Sequence, residues 1–213
     1  MTLPLVLLPG LSGSAAVDFA FLAPVLARQR EVIALDLDDR TPSRLPDGPF
    51  DLVGYSVGAV AAAELALTAD VRHLVLVAGV LESGERQRRF ARVWHGLSPA
   101  DRETFARFAA LDGDDDPVLA FRDDLVDRFA AANVDAAAIT APTLVIGCAA
   151  DAVATADQSR ALFAAIPDSR YAEVDAGHAV LAERPAEVLG HIEGFLSFPA
   201  RYPAAAVIPA ARP

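Results

Sequence analysis

Residues 51–65 read DLVGYSVGAVAAAEL. The apolar run 52–55 has the continuity of a strand buried on both faces, and the alanine-rich run 57–69 that of a buried helix. Between them stands Ser56, framed by Gly54 and Gly58. A hydroxyl at so abrupt a junction has a purpose if a backbone kink thrusts it outward. This is the G-x-S-x-G nucleophile elbow, read in its meaningful setting of strand, sharp turn and helix. Small residues two before and two after the serine let strand and helix close on each other. The free N–H groups at the helix start favour a developing anion. Ser56 is the candidate nucleophile.

Outward from the elbow, short apolar runs alternate with helical segments. Strands are expected over 3–10, 31–38, 50–55, 72–80, 142–150 and 169–177. Helices are expected over 14–29, where Pro24 kinks or restarts the segment, and over 57–69, 155–167 and 185–198. Thr155 and Gln158 fit a capping box. The pattern predicts an α/β fold: a mostly parallel sheet of about six strands, with helices on both faces. Between the fourth and fifth strands lie three further helical stretches. Ser98 caps the second, ahead of Pro99, and Asp116 the third, ahead of Pro117. They are read as a small helical lid. The expected organisation is a core of 1–81 and 139–198, a lid insertion over 82–138, and a Pro/Ala-rich extended tail over 199–213.

A length of 213 residues suits one domain, and 54% hydrophobic residues suffice for a core. The formal net charge of −11 repels phosphate backbones, so nucleic acid is not an expected partner. All 18 basic residues are arginine. Cys148 is the single cysteine, so no intrachain disulfide forms. The start lacks a basic leader, and no apolar run reaches the roughly 20 residues of a membrane span. The expectation is a cytoplasmic protein with no membrane association.

A serine needs a base. Of His73, His95, His178 and His191, only His178 lies in a loop after a strand, on the sheet edge that carries the elbow. His73 begins a strand, His95 lies in the lid, and His191, in the last helix, reads as a surface residue. The imidazole needs a carboxylate to fix its tautomer. Asp151 follows the fifth strand on the same edge, and Glu82, after the fourth, is the alternative. The order Ser56, Asp151, His178 is the one expected for such a fold. An oxyanion hole needs two backbone N–H groups. Val57 supplies one and the PGLSG turn (9–13) the other, through Leu11 or its rival Ser12.

Together these segments resemble the α/β-hydrolase superfamily: LVLLPGLSGSA (5–15) as the oxyanion turn, GYSVG (54–58) as the elbow, PTLVIGCAADAV (142–153) as the acid strand and loop, and AGHAVLAERPAEVLGHIEGFL (176–196) as the histidine loop and closing helix. The resemblance spans about 3–197. It implies a Ser-His-Asp hydrolase of small esters, thioesters, lactones or activated carbon–carbon bonds. Four departures stand out. Pro9 replaces a frequent histidine, and the first two edge strands are missing. The crossover helix over 39–50 is lost, so one face is thinly covered and open to a homodimer partner or the tail. Gly147 precedes Asp151 by four residues rather than three.

The lid contributes Phe90, Trp94, Phe105, Phe108, Phe121 and Phe129. With Tyr55, the residues Phe90 and Trp94 are the candidates to bind a small, mostly apolar substrate. The stretch DGDDDP (112–117) lacks the spacing of a calcium loop, and no metal or cofactor is implied. The leading expectation is a serine esterase. A thioesterase, cyclase or lyase on the same scaffold is the alternative, and a non-catalytic binding protein a third.

Overall fold

The computed structural model describes residues 2–38, 41–110 and 121–209, with the side chains of 105–110 outside the description. Seven strands form one sheet: β1 (Leu5–Leu8), β2 (Val32–Ala34), β3 (Phe50–Tyr55), β4 (Val71–Val77), β5 (Thr143–Cys148), β6 (Ser169–Val174) and β7 (Val207–Ile208). Their order is β2-β1-β3-β4-β5-β6-β7, and all pairings are parallel. Every residue of β1, β3 and β5 is buried, as strands covered on both faces require. Along β1, Val6 and Leu8 join one core while Leu5 and Leu7 join the other, the two-residue period of a strand.

Nine helices follow among the described residues: α1 (Ala15–Asp18), α2 (Leu22–Leu26), α3 (Val57–Ala66), α4 (Glu85–Gly96), α5 (Pro99–Ala110), α6 (Asp123–Ala130), α7 (Ala156–Ala165), α8 (Val180–Glu183) and α9 (Pro185–Ser197). The core on one face holds residues of α1, α2, α8 and α9, and the other holds residues of α3, α6 and α7. The expected helix over 14–29 divides into α1 and α2. Pro24 falls in the first turn of α2, where its missing N–H goes unnoticed, and the break lies over 19–21. The Thr155–Gln158 capping box is present.

Two expectations are corrected. The six expected strands become seven, because the tail returns as β7 beside β6. Tyr171 N–H donates to Ala206 O at 3.0 Å, and Ala205 N–H to Ser169 O at 2.8 Å. Arg170 Nε fastens Tyr202 O at 2.6 Å. The tail thus lies at the opposite end of the sheet from the 39–50 connection, which was expected to be open to a partner subunit or to the tail. That connection carries no α-helix among its described residues, only a 3-10 turn over Thr41–Arg44. Leu35 and Leu37 on its approach are instead buried with Leu125, Val126 and Phe129 of α6.

The lid leaves after β4 and returns before β5 through a narrow neck. Glu82 bridges Asn133 antiparallel. Ser83 N–H donates to Ala132 O, and Val134 N–H to Leu81 O, both at 2.8 Å. Trp94 Nε1 of α4 donates to Asp123 Oδ1 at 2.8 Å, and Arg102 of α5 stacks 5.0 Å over the same indole while pairing with Asp123. Gln87 fixes α4 to the loop after β5 by donating to Val153 O at 2.7 Å. Ser98 caps α5, its Oγ accepting from Asp101 N–H at 3.2 Å. The acidic stretch 112–117 and the Asp116 cap lie outside the described residues, as do the side chains of Phe105 and Phe108. No helix among the described residues is long and apolar enough to cross a membrane.

Candidate active site

Ser56 sits at φ 55°, ψ −118°, between β3 and α3. A side chain held at positive φ costs roughly 1–3 kcal/mol, so the surroundings must impose it. Ser56 N–H donates to Val77 O at 2.9 Å, and Ser56 O accepts from Ala59 N–H at 3.0 Å. The two glycines explain the tight turn. A Cβ on Gly54 would lie 2.3 Å from Gly58 O, and one on Gly58 would lie 2.3 Å from Leu8 O. That close approach also brings the exit of β1, and with it the 9–13 turn, beside the start of α3.

His178 comes from the loop after β6. Its Nε2 lies 2.8 Å from Ser56 Oγ, and its Nδ1 lies 2.8 Å from Asp151 Oδ2. A carboxylate only accepts, so Nδ1 carries the proton and Nε2 is left to accept from the serine hydroxyl. The Asp151 side chain is fully buried while that of His178 is 20% exposed. Burial of a carboxylate is tolerated because its acceptors are filled. Oδ1 takes the N–H groups of Val153 at 2.7 Å and Ala154 at 2.8 Å. The loops are tied to each other: Ala149 N–H donates to Val174 O at 2.9 Å, and Ala150 N–H to Ala176 O at 3.0 Å.

The structure therefore brings together Ser56, Asp151 and His178, the three residues singled out from the sequence. The N–H groups of Leu11 and Val57 find no acceptor among the described residues, and that of Ser12 likewise. Glu82, the alternative acid, lies at the neck of the lid, where its backbone bridges Asn133, and the carboxylate beside His178 Nδ1 is that of Asp151. His95 pairs with Asp127 at 2.7 Å, and His73 with Asp51 at 2.7 Å. His191 corrects the reading as a surface residue: it is buried, and its Nε2 has no partner among the described residues. Burial holds its imidazole below the ordinary 6.5.

The proposed pocket residues separate. Phe90 and Trp94 line a cavity of about 270 Å³ with Arg89, Val93, Leu97 and Val153, which includes neither Ser56 nor His178. Tyr55 is buried, and its hydroxyl donates to His178 O at 2.8 Å. Burial pushes that phenol well above 10.0, so it remains a donor. Phe129 of α6 is the lid ring beside the imidazole, at 6.4 Å between centroids. The amphipathic pattern of α6 could have marked it. Asp18 and Arg122, which grip the 9–13 turn, carried no sequence signal, because their partners are backbone atoms brought near only by folding. No cluster of three or more His, Cys, Asp or Glu residues suited to a metal exists among the described residues.

Side chains arranged in this way on one edge of a parallel sheet define a class. The chain belongs to the alpha/beta hydrolase family, whose model matches residues 5–191. It is 30% identical over 176 residues to pyrrolizixenacetamide deacetylase of Xenorhabdus hominickii. That alignment covers 70% of this chain and 65% of the relative, just under two thirds of the relative's length. Among solved structures, a hydrolase from Pseudomonas aeruginosa is similar at TM-score 0.72 and 24% identity, over 92% of this chain and 90% of the other. A carboxylesterase structure from Nitrososphaera gargenis is similar at TM-score 0.76 and 16% identity, over 94% and 92%.

Proposed function

We propose that this protein is a serine hydrolase that cleaves small, mostly apolar carboxylic esters through an acyl-enzyme on Ser56. The observation that carries the reading is the unbroken chain Ser56 Oγ to His178 Nε2 to Asp151, each link 2.8 Å. In this mechanism Ser56 Oγ attacks the ester carbonyl as its proton passes to Nε2. The carbonyl π pair moves to oxygen, and the Leu11 and Val57 amides receive that oxyanion. Collapse breaks the bond to the alcohol, which leaves with the proton from Nε2. Water then gives a proton to Nε2 and attacks the acyl group, releasing the acid and restoring Ser56. Asp151 holds the Nδ1–H tautomer and steadies the imidazolium.

A second reading has support in the deacetylase relative, whose name denotes removal of an acetyl group. The same relay would expel an amine instead of an alcohol, with His178 delivering its proton. One experiment separates the readings: p-nitrophenyl esters of two to eight carbons, beside acetanilides, assayed with wild type and Ser56→Ala. The ester reading expects turnover that falls at least about 10³-fold in Ser56→Ala with Tm unchanged. Full activity in that variant would end both readings, and preference for the acetanilide would favour the second.

A further inference from the structure

Asp18, the last residue of α1, takes no part in the relay, yet its side chain reaches back to the turn that carries Leu11. Its Oδ2 accepts from Gly10 N–H at 2.6 Å, and Ser12 Oγ lies 3.5 Å from the same oxygen. Gly10 is held on its other side as well, its carbonyl accepting from Gly13 N–H at 3.0 Å. The Gly10 carbonyl and the Leu11 N–H belong to one planar peptide and point in opposite directions. The Gly13 bond therefore aims the Leu11 N–H directly, while Asp18 fixes the preceding Pro9–Gly10 peptide from which it springs. Beyond it, Leu11 O accepts from Arg122 N–H at 3.0 Å. With its flanking carbonyls occupied, the Leu11 amide remains a donor without a protein acceptor among the described residues.

The ring of Tyr55 completes the arrangement. A Cβ on Gly10 would lie 3.0 Å from Tyr55 Cε1 and 3.4 Å from Asp18 Oδ2. The same phenol holds the His178 carbonyl. The turn and the histidine loop thus share one support, with Asp18 on the side of the turn.

We propose that Asp18 is a positioning residue that anchors the Pro9–Gly10 peptide, so that the adjoining Gly10–Leu11 peptide, held at its carbonyl by Gly13, turns the Leu11 amide to meet the oxyanion formed on Ser56. The proposal rests on the ester-hydrolase reading above. Burial raises the Asp18 carboxyl from 3.8 to about 6, while the Gly10 and Ser12 hydrogen bonds and the charge of His178 pull it down. A charged acceptor is kept where burial opposes it, as suits a group retained for its hold on the site.

The test compares wild type, Asp18→Ala and Asp18→Asn with p-nitrophenyl butyrate, with an alkyl trifluoromethyl ketone as a probe of the oxyanion. Asp18→Ala is expected to lower kcat about 10–100-fold with KM within about threefold, and to weaken the ketone by the same factor as kcat/KM. Asp18→Asn keeps an acceptor for Gly10 and is expected to restore both within about threefold. Should Asp18→Ala be recovered unfolded, Asp18→Leu fills the space without an acceptor and carries the comparison. Wild-type kcat in the acceptor-free variant overturns the role. So does a loss of kcat with unchanged ketone affinity, or an Asp18→Asn variant as impaired as Asp18→Ala. Absence of Ser56-dependent turnover in the wild type removes the function and the role together. Ser56-dependent turnover with an unimpaired Asp18→Ala removes the role alone.

Discussion

Asp151 accepts from His178 Nδ1 through one carboxylate oxygen and from the Val153 and Ala154 N–H groups through the other. Its place after the fifth apolar run suggested a carboxylate on the edge that bears Ser56 and His178. The two amides that fill its Oδ1, from Val153 and Ala154, emerge only once the loop is folded. Asp151→Asn keeps the volume and loses the acceptor that selects the Nδ1–H tautomer. We expect kcat to fall about 10³–10⁴-fold, with KM nearly unchanged, in steady-state ester hydrolysis. A loss below about tenfold would show that another group orients His178. Asp18, Tyr55 and Arg122 differ in kind from Asp151. Asp18 holds the Gly10 N–H, Tyr55 the His178 carbonyl and Arg122 the Leu37 carbonyl, and no motif records a contact to the main chain.

Among the elements, the strands were legible because both faces of the sheet are covered, which leaves uninterrupted apolar runs. β7 was not legible, since two residues in a Pro/Ala-rich tail carry no period and gain their place from β6. The start of α6 is the element that joins lid to site. Arg122, its N-cap residue, donates its N–H to Leu11 O and its Nη1 to Leu37 O at 2.5 Å, and pairs with Asp124 at 2.6 Å. Arg122→Ala keeps the first bond and loses the others. A charge-assisted hydrogen bond of this kind contributes about 1.5 kcal/mol, so Tm should fall roughly 3–6 °C. kcat should fall more than KM rises, because Leu37, whose N–H holds Gly13 O of the turn that carries Leu11, loses its clamp. Thermal melts and ester kinetics on the same preparation check this. An unchanged Tm would mean that the guanidinium contributes nothing to joining the two elements.

For the whole molecule, buried His191 and half-buried Asp18 set opposing pH dependences of stability. His191 has a folded-state pKa below 6.5, so the unfolded chain takes up more protons, and stability is lost as pH falls below 6.5. Asp18 has a folded-state pKa raised from 3.8 to about 6, so the folded chain holds more protons in that interval, and stability declines as pH rises through it. Asp18→Asn should match wild type in unfolding free energy near pH 4 and exceed it at pH 7.5. His191→Leu should lose the decline between pH 6.5 and 5. Urea titrations at these pH values check both, and an Asp18→Asn variant less stable than wild type at pH 7.5 would contradict the first. The sheet that frames these groups was legible in outline from the alternation of runs. The buried state of His191 was not, since a lone histidine in an amphipathic helix reads equally as a polar-face residue.

In the proposed reaction the Ser56 hydroxyl, activated by His178, is the group that attacks substrate. Its most direct test is mass spectrometry of the protein after reaction with a fluorophosphonate. One adduct is expected, on the peptide that carries Ser56, formed in step with the loss of ester hydrolysis and absent in His178→Ala. Ester turnover that persists with Ser56 fully modified, or an adduct confined to another residue, would contradict it.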